Sequence, residues 1–353
     1  MSRENHLIVR VDADSLMGAG HLMRCLALAQ GWKARGRDVI FITACRHDGL
    51  LHRLSKEGFE IVRLETMHPD SKDWETTSDI LAKYSGAWVV LDGYHFDPGY
   101  QKLITDSGCH LMLFDDCGEQ PFYHAHLILN QNINAESLNY SCRPGAQLLL
   151  GTKHVQLRSE FLLQDKWQRQ IPKIARKILV TMGLNDPNNQ VLKVIRALTH
   201  VHIDGLEVII VIGTTNHYLQ ELQSEVHHLH LPVRFIKNPN SMPELMAWAD
   251  IAVSAGGSTC WELAFMGLPS ILLIMAKNQQ EAVKILDARG IFQNAGWFTE
   301  ITENNLAQII EELALDKQRR RSMSEAGRMQ VDGFGRGRVL DALDRTIHND
   351  PVH

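Results

Sequence analysis

The stretch from Val11 to Gln30, VDADSLMGAGHLMRCLALAQ, joins a strand-like run to a helix-like run through a loop that contains Gly18 and Gly20. Glycine-rich loops that open helices commonly bind phosphate through backbone N–H groups. Here His21 follows the second glycine directly, and the positive end of a helix dipole favours a neutral imidazole that can accept a proton. The spacing therefore predicts a general base held against a ligand. The alternative is a histidine that merely starts a helix.

Charged residues flank this loop on both sides. Asp12 and Asp14 follow the first predicted strand, where they either orient His21 and contact a ligand or cap the loop. Arg24 lies one helical turn after His21 and faces either a phosphate group or a partner in a surface ion pair. We include Asp12 and Arg24 among the candidate ligand contacts.

Two more pairs of polar residues follow predicted strands. Asp92 and Tyr94 come directly after a buried run, at a position where parallel α/β sheets bind ligands. Asp115 and Asp116 are adjacent, so their side chains are expected to point to opposite faces and not to share a metal ion. We therefore predict no metal site.

The second half of the sequence contains two further loops at strand ends. In AGGSTCWELAFMGLP (255–269), the backbone N–H groups of Gly257, Ser258 and Thr259 would form an anion site, and Glu262 is placed to accept hydrogen bonds from a ribose diol. The alternative is that Ser258 caps the helix and Glu262 favours its dipole.

The other loop, VTMGLNDPNN (180–189), contains Gly183 and Asn185 and then a predicted helix opened by Asp186 and Pro187. Asn185 and Asp186 could instead only cap that helix. Two such loops in one domain suggest a nucleotide diphosphate lying across both. Neither a GxxxxGK[ST] sequence nor a strict GxGxxG fingerprint occurs, which disfavours a P-loop enzyme and a hydride-transfer enzyme.

The elements that must position these loops alternate between strand-like and helix-like patterns. Apolar runs typical of buried parallel strands occur in two series, with helical patterns between them, at 7–11, 39–43, 87–92, 110–116, 127–130, then 177–182, 208–213, 233–236, 251–255 and 270–275. This predicts an α/β protein with two Rossmann-like doubly wound domains facing across a cleft. We expect an N-terminal domain at 1–160, a C-terminal domain at 173–335 and a final helix at 336–353 that packs back on the first domain.

Composition narrows the classes of function. The 353 residues are 44% hydrophobic and 22% charged with a net charge of −5, so nothing favours nucleic acid as a partner. The six cysteines form no CxxC pair, and neither a signal peptide nor an apolar run of membrane-spanning length is present. We expect a cytoplasmic protein whose partner is a small molecule; the sequence leaves its oligomeric state open.

These motifs resemble those of a known family. The string R-x-D-x-D-x-x-x-G-x-G-H-x-x-R-C (10–25) is similar to that of the UDP-sugar hydrolases of pseudaminic acid biosynthesis. LDGYHF (91–96), LFDD (113–116), LNQN (129–132), LRSEF (157–161) and KNQQ (277–280) match that family in order. Residues 177–340 also resemble the C-terminal domain of the lipid-intermediate GlcNAc transferases, which have the GT-B fold.

The resemblance implies a metal-independent hydrolase without a cofactor. Its substrate would be UDP-2,4-diacetamido-2,4,6-trideoxy-β-L-altropyranose, and His21 would be the base that activates water, with inversion at the anomeric carbon. Backbone near Ile236 would bind uracil, and the other implied substrate contacts are Asn189, Glu262, Asn278 and Gln279. One departure is Leu184, which stands where the family has glycine and would line the sugar pocket.

Two other functions fit the same features. A glycosyltransferase of the same fold would pass the sugar to a hydroxyl acceptor in place of water, and a hydrolase could act on a related diacetamido sugar nucleotide. A sugar-nucleotide-binding module without catalysis would not need the histidine after Gly20. UDP release in water without an acceptor separates these possibilities.

Overall fold

The structure is a computed structural model. It describes residues 6–13, 18–183, 186, 188–213, 216–229, 231–239 and 241–349; for residues 347–349 it describes the backbone only. The chain divides into two compact units. The first unit runs to Ser159 and resumes at Gly333, and the second is continuous from Glu160 to Asp332. The second unit thus begins before the expected residue 173.

Each unit is built on a parallel sheet. The first sheet has the order β3-β2-β1-β4-β5-β6-β7 and the second has the order β10-β9-β8-β11-β12-β13. In both, the strand order reverses beside the first strand, as in doubly wound folds. The strands are β1 (His6–Val11), β2 (Asp38–Thr43), β3 (Glu60–Arg63), β4 (Trp88–Asp92), β5 (His110–Phe114), β6 (Leu127–Asn130), β7 (Gln147–Leu150), β8 (Lys177–Thr181), β9 (Glu207–Ile212), β10 (Val233–Lys237), β11 (Ile251–Ala255), β12 (Ser270–Ile274) and β13 (Gln293–Trp297).

Helices connect the strands. They are α1 (Gly20–Ala34), α2 (Asp48–Lys56), α3 (Ser71–Leu81), α4 (Pro98–Asp106), α5 (Ser159–Leu162), α6 (Gln190–Leu198), α7 (Leu219–Val226), α8 (Met242–Trp248), α9 (Thr259–Phe265), α10 (Lys277–Ala288), α11 (Glu303–Leu315), α12 (Lys317–Gln330) and α13 (Gly335–Asn349). None of the helices in the described ranges is long and apolar enough to cross a membrane.

The doubly wound architecture of both domains agrees with the prediction from the sequence. Three strands did not stand out there: β3, β7 and β13. β3 and β7 are four-residue edge strands, and β13 (QNAGW) contains polar residues and a glycine. Edge strands are covered on fewer sides, so their sequences need less of the continuous apolar character that marks central parallel strands.

Helix α13 is part of the first unit and packs against α1. Its apolar side chains Val339, Leu340 and Leu343 are buried. The carbonyl of Leu343 accepts a hydrogen bond from the indole Nε1 of Trp88 at 3.3 Å. A Cβ atom on Gly31 of α1 would lie 2.8 Å from Leu340 Cδ1, so glycine permits this close approach.

Candidate functional site

The carboxyl ends of β1, β4 and β5 bring three acidic residues together. In the parallel register, Val11 of β1 pairs with Asp92 of β4, and Asp92 pairs with Phe114 of β5. Asp12 therefore lies one residue beyond the end of β1, and Asp116 two residues beyond the end of β5. Parallel strands end at the same edge of a sheet, which is where doubly wound folds bind ligands.

His21 lies in the first turn of α1, directly after β1 and its loop. Gly18 has φ +74°, a conformation that favours glycine, and the N-cap residue Ala19 provides no side-chain hydrogen bond. The imidazole of His21 is 7% exposed, and its Nδ1 lies 2.7 Å from Oδ1 of Asp92.

The tautomer of His21 follows from this contact. An ionised carboxylate only accepts hydrogen bonds, so Nδ1 carries a hydrogen; in the neutral imidazole the lone pair is then on Nε2. Arg24 Nη2 lies 3.1 Å from the same Nδ1, but both are donors, and Asp92 accepts from each. Burial by itself would raise the pKa of Asp92; the nearby Arg24 and His21 outweigh it and hold that pKa well below its ordinary value.

Arg24 is enclosed by carboxylates. Its Nε and Nη2 donate to Asp92 at 2.7 Å, and its Nη1 and Nη2 donate to Asp116 at 2.7 and 3.0 Å. Its guanidinium carbon lies 4.8 Å from the ring centre of Phe114. Burial would lower the pKa of Arg24, but the two carboxylates raise it. Four of the five N–H groups are thus used within the protein, which disfavours the expected contact with a diphosphate.

Asp116 accepts hydrogen bonds from two more side chains. The hydroxyl of Tyr94 donates at 2.8 Å and the amide of Asn132 at 2.9 Å. The Tyr94 ring meets the imidazole of His21 edge-on, with centroids 4.8 Å apart. Burial of the hydroxyl raises the pKa of Tyr94, so this group stays a protonated donor. Burial would raise the pKa of Asp116 too, but Arg24 lowers it, so the acceptor is ionised.

Asp12 belongs to a neighbouring buried cluster. Its Oδ1 accepts from Arg10 Nη1 and from the backbone N–H of Ala44, both at 2.7 Å, and its Oδ2 lies 3.0 Å from His95 Nε2. Arg10 also donates to Asp73. Asp12 thus does not contact His21 among the described contacts, and Asp14 lies outside the described residues.

The adjacent carboxylates Asp115 and Asp116 point to different partners. Asp115 accepts from the Tyr123 hydroxyl at 3.0 Å and from the N–H of Gly118 at 2.7 Å, whereas Asp116 binds Arg24. Within the described residues, no group of three or more His, Cys, Asp or Glu side chains is placed to hold a metal ion.

In the second unit, the loop between β11 and α9 has the expected strand–glycine–helix form. Ser258 is the N-cap residue of α9, and its side chain makes no capping hydrogen bond. A Cβ atom on Gly256 would lie 2.5 Å from Val283, whereas one on Gly257 would meet only the Gln279 amide at 3.7 Å. Gly257 thus faces the first turn of α10.

Other predicted contacts lie around this loop. The backbone there closes a first turn, with Cys260 N–H donating to the Gly257 carbonyl at 3.0 Å. Thr259 begins α9, and half-buried Glu262 lies in its first turn. Asn278 and Gln279 lie in the first turn of α10, where the Gln279 side chain accepts from the Met275 N–H.

The loop at 180–189 differs from the expectation. α6 begins at Gln190, three residues later than expected, and the buried carboxylate of Asp186 accepts from the N–H groups of Gln190 and Val191 at 2.8 and 2.9 Å. This carboxylate occupies the helix N-terminus that we expected to bind phosphate, as the capping alternative predicts.

The remaining predicted contacts of the second unit are spread over this region. The Asn189 amide donates to Glu221 at 2.9 Å, and Gly183 has φ +84°. Ile236 lies in β10, paired with Val211 of β9. Leu184 and Asn185 lie outside the described residues.

The sequence analysis assigned no binding or positioning role to three polar residues of the first unit: Asn132, His95 and Asp116, the last of which was considered only as a metal ligand. Each follows a buried strand within three residues: β6, β4 and β5. Their position after a buried strand could have identified these residues, because the same position was the reason for selecting Asp92 and Tyr94.

Comparisons with known proteins agree with this architecture. Residues 177–333 match the glycosyltransferase family 28 C-terminal domain. Among solved structures, the spinosyn forosaminyltransferase SpnP has a TM-score of 0.70 at 12% identity, covering 99% of this chain and 100% of that chain. Acinetobacter baumannii MurG has a TM-score of 0.63 at 14% identity, covering 97% and 99%. The chain has a GT-B fold.

Three curated relatives share 23–24% sequence identity with this chain, which is too low to assign it to a family. The chain is 23% identical over 346 residues to the spore coat polysaccharide biosynthesis protein SpsG of Bacillus subtilis, covering 96% of this chain and 97% of that protein. It is 24% identical over 232 residues, or 65% of its length, to a Helicobacter pylori protein described as pseudaminic acid cytidylyltransferase and UDP-2,4-diacetamido-2,4,6-trideoxy-beta-L-altropyranose hydrolase.

The third relative is the protein MJ1062 of Methanocaldococcus jannaschii, 24% identical over 283 residues, or 78% of this chain. The matched region spans 57% of MJ1062 and 41% of the Helicobacter protein. Both of these relatives are therefore considerably longer than the region they share with this chain.

Proposed function

We propose that this chain hydrolyses a UDP-linked diacetamido sugar, UDP-2,4-diacetamido-2,4,6-trideoxy-β-L-altropyranose, without a metal ion or cofactor. The observation that carries the proposal is the hydrogen bond between His21 Nδ1 and Asp92 Oδ1, because it leaves Nε2 as the basic nitrogen. The partial match to the Helicobacter protein, whose printed name includes this hydrolase activity, supports the choice of substrate.

In the proposed reaction, a water oxygen attacks the anomeric carbon while Nε2 of His21 takes one of its protons. The bond between the anomeric carbon and the diphosphate oxygen breaks, and UDP leaves with the electron pair. Asp92 stabilises the imidazolium that forms, as the third member of a catalytic triad does. Arg24 holds Asp92 and Asp116 in place, so we assign it a positioning role.

The charges of the first unit suit this chemistry. Reactions at an anomeric carbon pass through a transition state with oxocarbenium-ion character. Arg24 carries one positive charge, whereas Asp92 and Asp116, both with lowered pKa values, carry two negative charges. The surplus negative charge beside His21 favours a cationic sugar over a diphosphate. We therefore infer that the sugar lies beside His21.

The test measures UDP release in water enriched in ¹⁸O, without an acceptor and with EDTA present. We expect ¹⁸O in the free sugar and none in UDP, because the C–O bond breaks. His21→Ala should lower the rate about 10²–10⁴-fold while still binding UDP. The control is His52→Ala, an exposed histidine on α2. Label in the UDP phosphate, or full activity of His21→Ala, would contradict the mechanism.

A glycosyltransferase remains the second candidate, because the matching C-terminal family and the similar structures include glycosyltransferases. The same base would then deprotonate an acceptor hydroxyl. Wild-type protein that binds UDP but releases none from the sugar nucleotide in water, and does so when a hydroxyl acceptor is added, would favour the transferase.

The nucleotide-binding role of the second unit is tested at Glu262. If its carboxylate accepts from the ribose diol, Glu262→Ala leaves buried hydroxyls unpaired and weakens UDP binding by about 1–3 kcal/mol. Glu244→Ala is the matched control, since Glu244 is an exposed carboxylate in the first turn of the neighbouring α8. Calorimetric titration with UDP measures both. Equal UDP dissociation constants for Glu262→Ala and Glu244→Ala would show that Glu262 does not bind the ribose.

A further inference from the structure

Two His–Asp contacts connect the carboxyl ends of strands β1 and β4. Asp92, at the end of β4, binds His21 from the segment after β1. Asp12, just after β1, binds His95 from the segment after β4, with Nε2 and Oδ2 3.0 Å apart. The proposed reaction uses the first of these His–Asp pairs and assigns no role to the second.

Among the described residues, the His95 ring has one hydrogen-bond partner, Asp12. Its Nε2 faces Asp12, which only accepts, so Nε2 carries the hydrogen. Its Nδ1 is buried without a hydrogen-bond partner among the described residues. A Cβ atom on Gly93 would lie 2.9 Å from this Nδ1 and 2.7 Å from Cε1, and Gly93 has φ +152°. The ring thus folds back over the Gly93 backbone, which only glycine allows.

Asp12 is a fixed anchor for this ring. Its carboxylate is 1% exposed, and its other oxygen is held by Arg10 and by the N–H of Ala44. Burial would raise the pKa of Asp12, but the hydrogen bond from His95 and the charge of Arg10 hold it well below its ordinary value. The acceptor for His95 is therefore ionised and already oriented.

Tyr94 lies between Gly93 and His95 in the chain and contacts the candidate site. Its hydroxyl donates to Asp116, and its ring lies edge-on to His21. The hydroxyl end of Tyr94 is enclosed at Asp116, but the residue as a whole is 52% exposed, so burial of the ring contributes little to fixing its position. The residues on either side of Tyr94 are held by the close approach of the His95 ring to Gly93 and by the His95–Asp12 bond.

We propose that His95 is a positioning residue that acts through Tyr94. Its hydrogen bond to Asp12 fixes residues 93–95, so that Tyr94 keeps its hydroxyl on Asp116 and its ring perpendicular to that of His21. This effect on Tyr94 belongs to the ground state of the protein and needs no substrate. Its effect on turnover rests on the proposed function.

The first test needs no activity. Because the rings of Tyr94 and His21 lie close together, we expect the ring current of Tyr94 to shift the NMR signal of His21 Cε1–H in protein labelled with ¹³C at histidine Cε1. Loss of one signal in His21→Gln assigns it. Tyr94→Leu gives the position without the ring. We expect His95→Phe, which lacks the donor, to move the signal toward that position. His95→Gln, whose amide can reach Asp12, should restore the wild-type position.

Two outcomes would overturn the proposal. One is a wild-type His21 signal in a folded His95→Phe protein. The other is a further movement of the signal when His95→Phe is added to Tyr94→Leu, since His95 would then act on His21 by another route. If His95→Phe does not fold, His95→Asn replaces it, because that amide is too short to reach Asp12. Thermal unfolding checks the fold of each variant.

The second test measures turnover of the UDP-sugar. We expect His95→Phe to lower kcat about 10-fold, because small displacements of positioned groups are costly, and to have no added effect in Tyr94→Leu. Additive effects would contradict action through Tyr94. If the wild type does not turn over this substrate, the proposed function fails while the NMR test of His95 still stands.

Discussion

At the scale of single residues, Asp92 connects the candidate base to its surroundings. It is fully buried, accepts from His21 and Arg24, and lies 3.4 Å from the thiol sulfur of Cys25. A buried carboxylate of this kind is stable only because its partners compensate for lost hydration. We therefore expect substitution of Asp92 to have a larger effect than substitution of an exposed carboxylate.

Asp92→Asn is expected to abolish most turnover while keeping the volume of the side chain. A carboxamide can turn its NH₂ toward His21, which would move the ring hydrogen to Nε2 and remove the base. We expect initial rates of UDP release to fall about 10²–10⁴-fold. Asp97→Asn is the control, because Asp97 is an exposed cap of α4 and asparagine caps equally well. A loss of only a few-fold would contradict the role of Asp92.

The hydrogen bonds of Asp92 also connect Arg24 and Asp116 to the same cluster. Asp92 accepts from His21 and from two N–H groups of Arg24, and Arg24 donates its other bonds to Asp116. Removing any one partner would leave a buried charge incompletely compensated. Pairs of variants in this cluster should therefore be non-additive.

At the scale of elements, α13 completes the first unit although it follows the second unit in the chain. Its first residue lies against the backbone of residues 154–155: a Cβ atom on Gly335 would lie 2.4 Å from the Val155 carbonyl oxygen and 2.6 Å from the Val155 nitrogen. Backbone atoms cannot move aside as a flexible side chain can.

Gly335→Ala is therefore expected to lower the free energy of unfolding by about 1–3 kcal/mol or more. Gly337→Ala is the matched control in the same helix, since no atom lies within 4 Å of its Cβ position. It should raise stability by up to about 1 kcal/mol through helix propensity. Urea unfolding measures both variants. Equal effects would show that α13 does not pack as described.

At the scale of the whole molecule, the two units differ in how the chain builds them. Residues 160–332 are continuous and contain a complete six-stranded sheet with its own apolar core. The first unit is discontinuous, because α13 supplies the buried side chains Val339, Leu340 and Leu343.

A fragment of residues 160–332 is therefore expected to fold alone and to unfold cooperatively on heating. A fragment of residues 1–159 lacks the large buried side chains Val339, Leu340 and Leu343, worth about 1.5–3 kcal/mol each, so we expect it to lose its cooperative transition. Circular dichroism during heating distinguishes the two. Addition of a peptide spanning 333–353 should restore the transition of the first fragment. An unfolded 160–332 fragment would contradict this division.

Much of the fold could be predicted because central parallel strands are buried on both faces and have continuous apolar sequences. The runs at 39–43, 127–130 and 251–255 coincide with β2, β6 and β11 to within a residue. Strand β13 was missed for the opposite reason, since its sequence QNAGW at the sheet edge lacks that apolar run. The start of α6 was misplaced because Asp186 and Asn189 adopt positive φ values that no periodicity reveals.

The sequence by itself determined the two Rossmann-like domains and the selection of His21, Asp92 and Tyr94, since apolar runs and the residues after them are local patterns. Only the tertiary structure decided which groups bind one another. His21 and Asp92 are 71 residues apart in the chain and Arg24 and Asp116 are 92 apart. Strand order and register bring them within hydrogen-bond distance, and neither is encoded in a local pattern.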